Sequence, residues 1–193
     1  MVEKDKRQRI MHAAEKLFSS RRFHEITTDD VARQAGVGKG TIYRHFRDKD
    51  DLFFETVVTG FDELCELLRE RVSRKAAFSE QIFQACVEIS QFFQRRRELF
   101  DMMQSEDGWM SCDTGRFRQR WLRKRKALVD AVAVILEGGV REGAVRPDIP
   151  PEVLANFLLG MLRTRARDLA DAPERLRRYE LVVDMFYRGA GKE

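Results

Sequence analysis

The apolar residues of this chain recur at helical spacing almost from end to end. Between residues 6 and 20 they fall at i, i+3, i+4, i+7 and i+8, which forms one buried face of an amphipathic helix. No stretch alternates apolar and polar residues as a half-buried strand would. The pattern therefore predicts an all-α fold of about nine helices. These are expected over residues 6–20, 27–35, 39–46, 48–74, 79–95, 98–103, 117–142, 151–170 and 173–187.

Local signals predict where the early helices begin and end. Thr27 and, three positions later, Asp30 form a predicted capping box, and Gly36 is expected to end the helix that follows. Only the segment 36–38 (Gly-Val-Gly) separates this helix from the next one. Two short helices joined by a tight glycine turn are typical of a helix-turn-helix unit. Asp48 is the expected N-cap of the long fourth helix.

Composition and charge narrow the class of protein. The chain has 193 residues, of which 43% are hydrophobic and 35% charged, so a globular protein with a real core is expected. The charged start and the lack of a long apolar run predict no signal peptide, no membrane span and a cytoplasmic location. The net charge of +4 favours an anionic partner only mildly, but residues 33–49 hold five basic residues against one acid.

The distribution of histidine and cysteine argues against enzyme chemistry. All three histidines lie within the first 45 residues, and the three cysteines are far apart and odd in number. Neither residue type has the spacing of a metal site, a disulfide framework or a nucleophile–base pair. We therefore expect no catalytic residue, no metal and no cofactor.

Five matched segments make the first 60 residues resemble the DNA-binding domain of the TetR family, the tetracycline-repressor-like transcriptional regulators. These segments are Ile10-x-x-Ala13-Ala14-x-x-Leu17-Phe18, Phe23-x-x-Ile26-Thr27-Thr28, Val31-Ala32-x-x-Ala35-Gly36-Val37, Gly40-Thr41-Ile42-Tyr43-x-His45-Phe46 and Lys49-x-x-Leu52. The rest of the chain resembles the family only in length and helical content. The resemblance implies a helix-turn-helix domain over residues 1–47 and a larger helical domain for effector binding and dimerisation over residues 48–193.

A helix-turn-helix unit lays its second helix in the major groove of double-stranded DNA. That helix begins here at Lys39, and Lys39 and Arg44 are the predicted base readers, with guanine O6 and N7 as acceptors. Asp29 is expected either to accept from a cytosine amino group or simply to point to solvent. Ile42 and Phe46 are expected to face inward. The complete predicted set of operator contacts is Thr27, Thr28, Lys39, Gly40, Thr41, Tyr43, Arg44, His45 and Lys49, with Tyr43 and Lys49 as phosphate contacts that the resemblance implies.

Soft and aromatic side chains concentrate in the middle of the chain, where nine of the 14 phenylalanines fall between residues 53 and 117. They suit either a pocket for a small, largely apolar effector or an ordinary helical core. The candidate pocket residues are Phe61, Leu64, Phe83, Val87, Phe100, Met103, Trp109, Phe117 and Trp121. A basic run over residues 116–126, which contains no acid, is either an anion-binding surface or a solvated helix face.

The last two predicted helices carry apolar residues that suit either pairing with a second copy or packing within the chain. The candidate dimer residues are Leu154, Phe157, Leu158, Met161, Leu181, Val182, Met185 and Phe186. The resemblance implies a homodimer joined through such helices. It further implies a regulator, most often a repressor, that an effector releases from a palindromic operator. The alternative is a DNA-binding factor whose second domain binds a protein partner.

Overall fold

A computed structural model describes residues 2–104 and 115–191 of the chain. Within these ranges the backbone forms nine α-helices and two short 3₁₀ helices, which confirms the predicted all-α fold class. The α-helices are α1 (Val2–Ser20), α2 (Thr28–Ala35), α3 (Lys39–His45), α4 (Lys49–Arg71), α5 (Phe78–Arg95), α6 (Arg97–Gln104), α7 (Gly115–Arg141), α8 (Pro151–Arg167) and α9 (Tyr179–Ala190). The 3₁₀ helices span Phe23–Glu25 and Glu174–Leu176.

The predicted helix over residues 173–187 is wrong at its start. The chain forms a 3₁₀ turn after Pro173 and becomes extended at Arg178 before α9 begins. Arg165 of α8 contributes to this break, since its Nε donates to the carbonyl oxygen of Arg177. The guanidinium of Arg165 also lies 4.2 Å from the centre of the Tyr179 ring. The Arg165 guanidinium thus contributes to a break between the 3₁₀ helix and α9, which periodicity alone predicts to be one helix.

The chain divides into two compact units. The first comprises Met1–Asp62 and Arg96–Arg123, and the second comprises Glu63–Arg95 and Lys124–Glu193. Helices α4 and α7 each contribute to both units. The domain boundary predicted between residues 47 and 48 stays a prediction.

The core of the first unit contains a cluster of three phenylalanine rings. Phe18 at the end of α1, Phe23 in the 3₁₀ turn and Phe53 in α4 have ring centres 5.3–5.4 Å apart in each pair. All three are buried, and two of the contacts are edge-to-face, the arrangement that aromatic quadrupoles favour. The cluster fixes the start of α4 against α1 and against the turn that precedes α2.

Two carboxylates tie helices of the first unit together. The side chain of Glu15 in α1 is only 4% exposed, and Arg96 donates to its two oxygens at 3.0 and 2.8 Å. Glu55 in α4 accepts from Arg7 of α1 at 3.1 Å and from Arg120 of α7 at 2.6 Å. These charge-assisted bonds join segments that lie 48 to 81 residues apart in the chain.

The second unit packs α5 against α8 and α9. Gly139 in α7 allows a close approach there, because a Cβ at this position would lie 2.7 Å from the Phe78 ring. The backbone N–H of Phe78 donates to Glu142, and the ring of Tyr187 meets the Phe78 ring edge-on. Among the described residues, no helix is both long and apolar enough to cross a membrane.

Candidate nucleic-acid interface

The turn between α2 and α3 forms as its sequence predicts. Thr27 accepts from the backbone N–H of Asp30, and the Asp30 carboxylate accepts from the backbone N–H of Thr27, so both halves of the capping box are present. Gly36 ends α2 with φ = 64°, a left-handed conformation that costs an L side chain about 1–2 kcal/mol. Arg9 of α1, which the sequence reasoning missed, donates to the carbonyl oxygen of Ala35 at 2.7 Å and thus secures the end of α2.

The short helix α3 has a buried side and an exposed side. Ile42 and Phe46 are 0% and 1% exposed, which confirms that they face inward. Lys39, Gly40, Tyr43 and Arg44 are exposed, and Thr41 and His45 are half-buried. A Cβ added at Gly40 would meet no atom within 4 Å, so the surface around it is open to an approaching molecule. Four of the predicted contact residues of α3 are therefore accessible to an approaching molecule, and two are only partly accessible.

Two polar contacts connect the start of α2 with this exposed side of α3. The hydroxyl groups of Thr28 and Tyr43 lie 3.1 Å apart. The ammonium of Lys39 donates to Asp29 Oδ2 at 3.0 Å, and the hydrogen bond and charge of Asp29 raise the pKa of Lys39. Asp29 therefore does not simply point to solvent, which corrects one of the two expectations for it. Sequence spacing alone did not indicate this pair, since its members lie ten residues apart in different helices.

Lys49 contacts the protein's own backbone. Its ammonium donates to the carbonyl oxygens of Phe23 and Ile26 at 2.8 and 2.9 Å and lies 4.2 Å from the centre of the Phe23 ring. Lys49 thus stabilises the turn before α2, and a phosphate would have to share its ammonium with these carbonyls. Its predicted phosphate contact stays a prediction.

The start of α4 has the predicted N-cap and one further carboxylate contact. Asp48 caps the helix, accepting from the backbone N–H of Asp51 at 2.7 Å. The Asp51 carboxylate reaches one residue further back than a capping box requires, to the backbone N–H of Arg47. The Arg47 side chain in turn lies 3.2 Å from Asp48. The carboxylates of Asp51 and Asp48 thus bind the backbone N–H and the guanidinium of the same arginine.

The predicted pocket residues differ in burial. Phe61, Leu64, Phe100 and Phe117 are buried, Val87, Met103 and Trp121 are half-buried, and Phe83 is 38% exposed. Trp109 lies outside the described residues. The buried residues of this set would be buried both in an ordinary helical core and in the lining of a closed pocket, so the pocket stays a prediction.

The predicted dimer residues separate into two groups. Leu154, Leu158, Val182 and Phe186 are buried within the single chain, so they belong to its own core. Phe157 and Met185 are 63% and 56% exposed, and Met161 and Leu181 are half-buried. Packing within the chain therefore holds for the four buried residues, while pairing through the others stays a prediction.

The basic run over residues 116–126 is partly engaged within the protein. Arg120 binds Glu55, Lys126 binds Asp130 at 2.7 Å, and Arg125 donates to Asn156 at 3.2 Å. Within the part of the chain that the structure describes, no group of three or more histidine, cysteine or acidic side chains is placed to hold a metal ion.

Comparisons with known proteins agree with the helix-turn-helix geometry. Residues 10–56 match the family described as bacterial regulatory proteins, tetR family. The chain is 29% identical to the HTH-type transcriptional regulator YhgD of Bacillus subtilis over 158 residues, which are 80% of this chain and 79% of YhgD. It is also 29% identical to the HTH-type transcriptional repressor AcnR of Corynebacterium glutamicum, over 79% of this chain and 75% of AcnR.

Solved structures share the fold over nearly the whole chain. The fatty acid degradation regulator FadR of Bacillus halodurans superposes with a TM-score of 0.84 at 16% identity, covering 95% of both chains. FadR of Bacillus subtilis, solved in complex with stearoyl-CoA, has a TM-score of 0.82 at 18% identity and covers 94% of this chain and 98% of its own. These likenesses extend the shared fold beyond the region of the family match. The family match therefore assigns residues 10–56, which include the helix-turn-helix, to the bacterial regulatory proteins of the tetR family.

Proposed function

We propose that this protein is a homodimeric repressor that binds a palindromic operator and is released from it by a small, largely apolar effector. The observation that carries the DNA-binding part is the two-sided geometry of α3. Ile42 and Phe46 anchor the helix, while its basic and hydroxyl side chains lie on the exposed side together with Thr28 at the start of α2. This arrangement suits a helix that enters the major groove.

The exposed apolar residues of α8 and α9 support the homodimer. Phe157 is 63% exposed and Met185 56%, although large apolar side chains are usually covered. A two-fold dimer presents two α3 helices and thereby reads a palindrome with half-sites about 34–36 Å, or a multiple, apart.

A mobility-shift assay on the DNA upstream of the protein's own gene tests the DNA-binding part. We expect a sequence-specific complex that weakens steeply with salt, because phosphate contacts release counterions. Tyr43→Phe should weaken the complex and change the melting temperature little, since the hydroxyl contact that it removes, with Thr28, is exposed. The proposal fails if the wild-type protein shows no preference for this DNA over a scrambled duplex of the same composition.

Sedimentation analysis tests the dimer. Phe157→Glu and Met185→Glu should each convert the dimer to a folded monomer, because a charge would then be buried at the interface. Leu122→Glu is the matched control, since Leu122 in α7 is 47% exposed and is not among the predicted pairing residues. A chain that sediments as a monomer before any substitution would refute the dimer and leave the DNA-binding test unaffected.

The effector is approached through ligand-induced stabilisation. FadR of Bacillus subtilis was solved with stearoyl-CoA, which makes stearoyl-CoA the first probe, with free CoA and stearate as controls. A ligand present at 100 times its Kd stabilises the folded state by about 2.7 kcal/mol. Stabilisation by stearate as well as by stearoyl-CoA would indicate recognition of the acyl chain. Stabilisation by neither would exclude long acyl chains as the effector class.

A further inference from the structure

The start of α2 places a carboxylate among the candidate DNA contacts. Two consecutive residues there, Thr28 and Asp29, contact Tyr43 and Lys39, which lie one turn apart on α3. The Asp29 and Lys39 side chains are 53% and 54% exposed, so both charges are accessible from the side of α3 that faces outward. The acid thus belongs to the same surface as the predicted reading residues.

Stability of the fold accounts for only a small part of this acid, since an acid in the first turn of a helix contributes about 0.3–1 kcal/mol. An exposed ion pair contributes only about 0–1 kcal/mol to folding. On a surface that meets DNA, a carboxylate also repels phosphates and cancels the attraction of the lysine beside it, whatever the sequence. Asp29 therefore weakens binding to DNA of any sequence. A carboxylate with this disadvantage is useful at the surface if it recognises particular bases.

The spacing of the pair matches the major-groove edge of one base pair. Guanine O6 accepts a hydrogen bond from cytosine N4, so these two atoms lie at the usual N–H···O distance of about 2.9–3.0 Å. Lys39 Nζ and Asp29 Oδ2 are likewise 3.0 Å apart. When the Lys39–Asp29 pair lies parallel to the base pair, the Lys39 ammonium donates to guanine O6. The Asp29 carboxylate then accepts a hydrogen bond from the second N–H of cytosine N4.

The order of donor and acceptor decides which base pairs fit. A thymine–adenine pair offers the same order, with thymine O4 as the acceptor and adenine N6 as the donor. The reversed pairs place the carboxylate against a carbonyl oxygen and the ammonium against an amino group, so both contacts become repulsive. Guanine gives Lys39 a second acceptor, N7, which favours guanine over thymine.

We propose that Asp29 determines specificity: together with Lys39 it reads one base pair in each half-site, with guanine opposite Lys39 and the paired cytosine opposite Asp29. The inference rests on the proposed function, since it requires that α3 enters the major groove. It adds a second and separate effect of Asp29, which is weaker binding to DNA of any sequence.

The test uses the full chain and its Asp29→Asn variant. Selection from a pool of random duplexes first defines the sequence that the wild-type protein binds. Each position of that sequence is then changed to all four base pairs and titrated with both proteins. We expect one position per half-site at which the wild type prefers guanine, then thymine, over adenine and cytosine by roughly tenfold or more. Asp29→Asn should lose most of that preference.

A salt titration on a mixed-sequence duplex of 24 base pairs measures the second effect. Asp29→Asn should bind this duplex more tightly, and its salt slope should steepen by about 0.9 per protomer, because Lys39 then neutralises a phosphate. Asp148→Asn is the matched control, since it removes the same charge from another exposed ion pair, with Arg146. It should change neither the base preference nor the slope.

The outcomes separate the inference from the proposed function. If the wild type selects no sequence, the proposed function fails and the inference with it. If the wild type selects a sequence that Asp29→Asn discriminates equally well, with an unchanged salt slope, the inference alone is overturned. Asp29→Ser serves as a second neutral variant, because serine also suits the first turn of a helix.

Discussion

Removal of the Arg96 side chain is expected to destabilise the protein strongly. Its partner Glu15 lies in α1 with a side chain only 4% exposed, and both carboxylate oxygens accept from the Arg96 guanidinium. The Arg96→Ala variant leaves this carboxylate buried without its cation. A buried charge that loses its partner costs about 3–5 kcal/mol.

The structure places the expected cost near the lower end of that range. The Arg96 side chain is 31% exposed, so water can enter the space that it leaves and partly solvate the carboxylate. We therefore expect about 3 kcal/mol. With a urea m-value of about 2 kcal/mol per molar, the midpoint of unfolding should fall by about 1.5 M.

Urea denaturation at fixed protein concentration measures this loss. A Glu15→Gln/Arg96→Ala double variant should recover part of the deficit at neutral pH, because it removes the buried charge together with its partner. Lys126→Ala is the matched control, since it breaks an exposed pair with Asp130 and should shift stability by no more than about 0.5 kcal/mol. If Arg96→Ala shifts the midpoint no more than this control, the pair does not hold α1 as argued.

Three further predictions concern single residues. Gly36→Ala should lower the free energy of unfolding by about 1–2 kcal/mol in the same assay, because alanine disfavours φ = 64° and its Cβ would lie 3.0 Å from Arg9 Nη2. An unchanged midpoint of unfolding would contradict this strain. Cys86 should resist thiol reagents in the native protein, because burial raises its pKa to about 12; site-resolved mass spectrometry should find it labelled only after unfolding. Hydrogen bonds from Thr27 lower the pKa of Asp30, so their contribution to stability is complete above the ordinary aspartate pKa of 3.8 and is lost as the pH falls through the lowered value. Thr27→Ala should reduce this part of the acid dependence in pH-resolved melting curves, because it removes the bond from the hydroxyl but not the one from the backbone N–H.

The helices were predictable where local signals and periodicity agree. Thr27, Asp30 and Gly36 each act within four residues of their partners, so local sequence predicts these caps of α2, although not the bond that Arg9 adds at its end. The break before α9 depends instead on Arg165, which belongs to another helix and reaches the turn only in the folded chain. Periodicity cannot reveal such a contact, and it therefore extended that helix backwards to Pro173.

The same distinction applies to the candidate interface. The residues on the exposed side of α3 follow from helical spacing once Ile42 and Phe46 are assigned to the core. The contacts of Asp29 with Lys39, and of Lys49 with two carbonyl oxygens, follow from the angle between helices and from the path of a turn. Neither is encoded at a fixed spacing. The sequence thus predicted which side of α3 is buried, but not which charges of the candidate interface already form contacts within the protein.

The stability of α3 comes from its neighbours. It has only seven residues, one of them glycine, and an isolated helix of fewer than about 12 residues is marginal in water. Ile42 and the C-cap residue Phe46, both fully buried, anchor it to the core of the first unit. The exposed positions contribute little to that anchoring, so substitutions at Lys39 or Arg44 should alter recognition of DNA while the fold persists. A helix that is anchored only by its inner side leaves its outer side available for the proposed contacts with DNA.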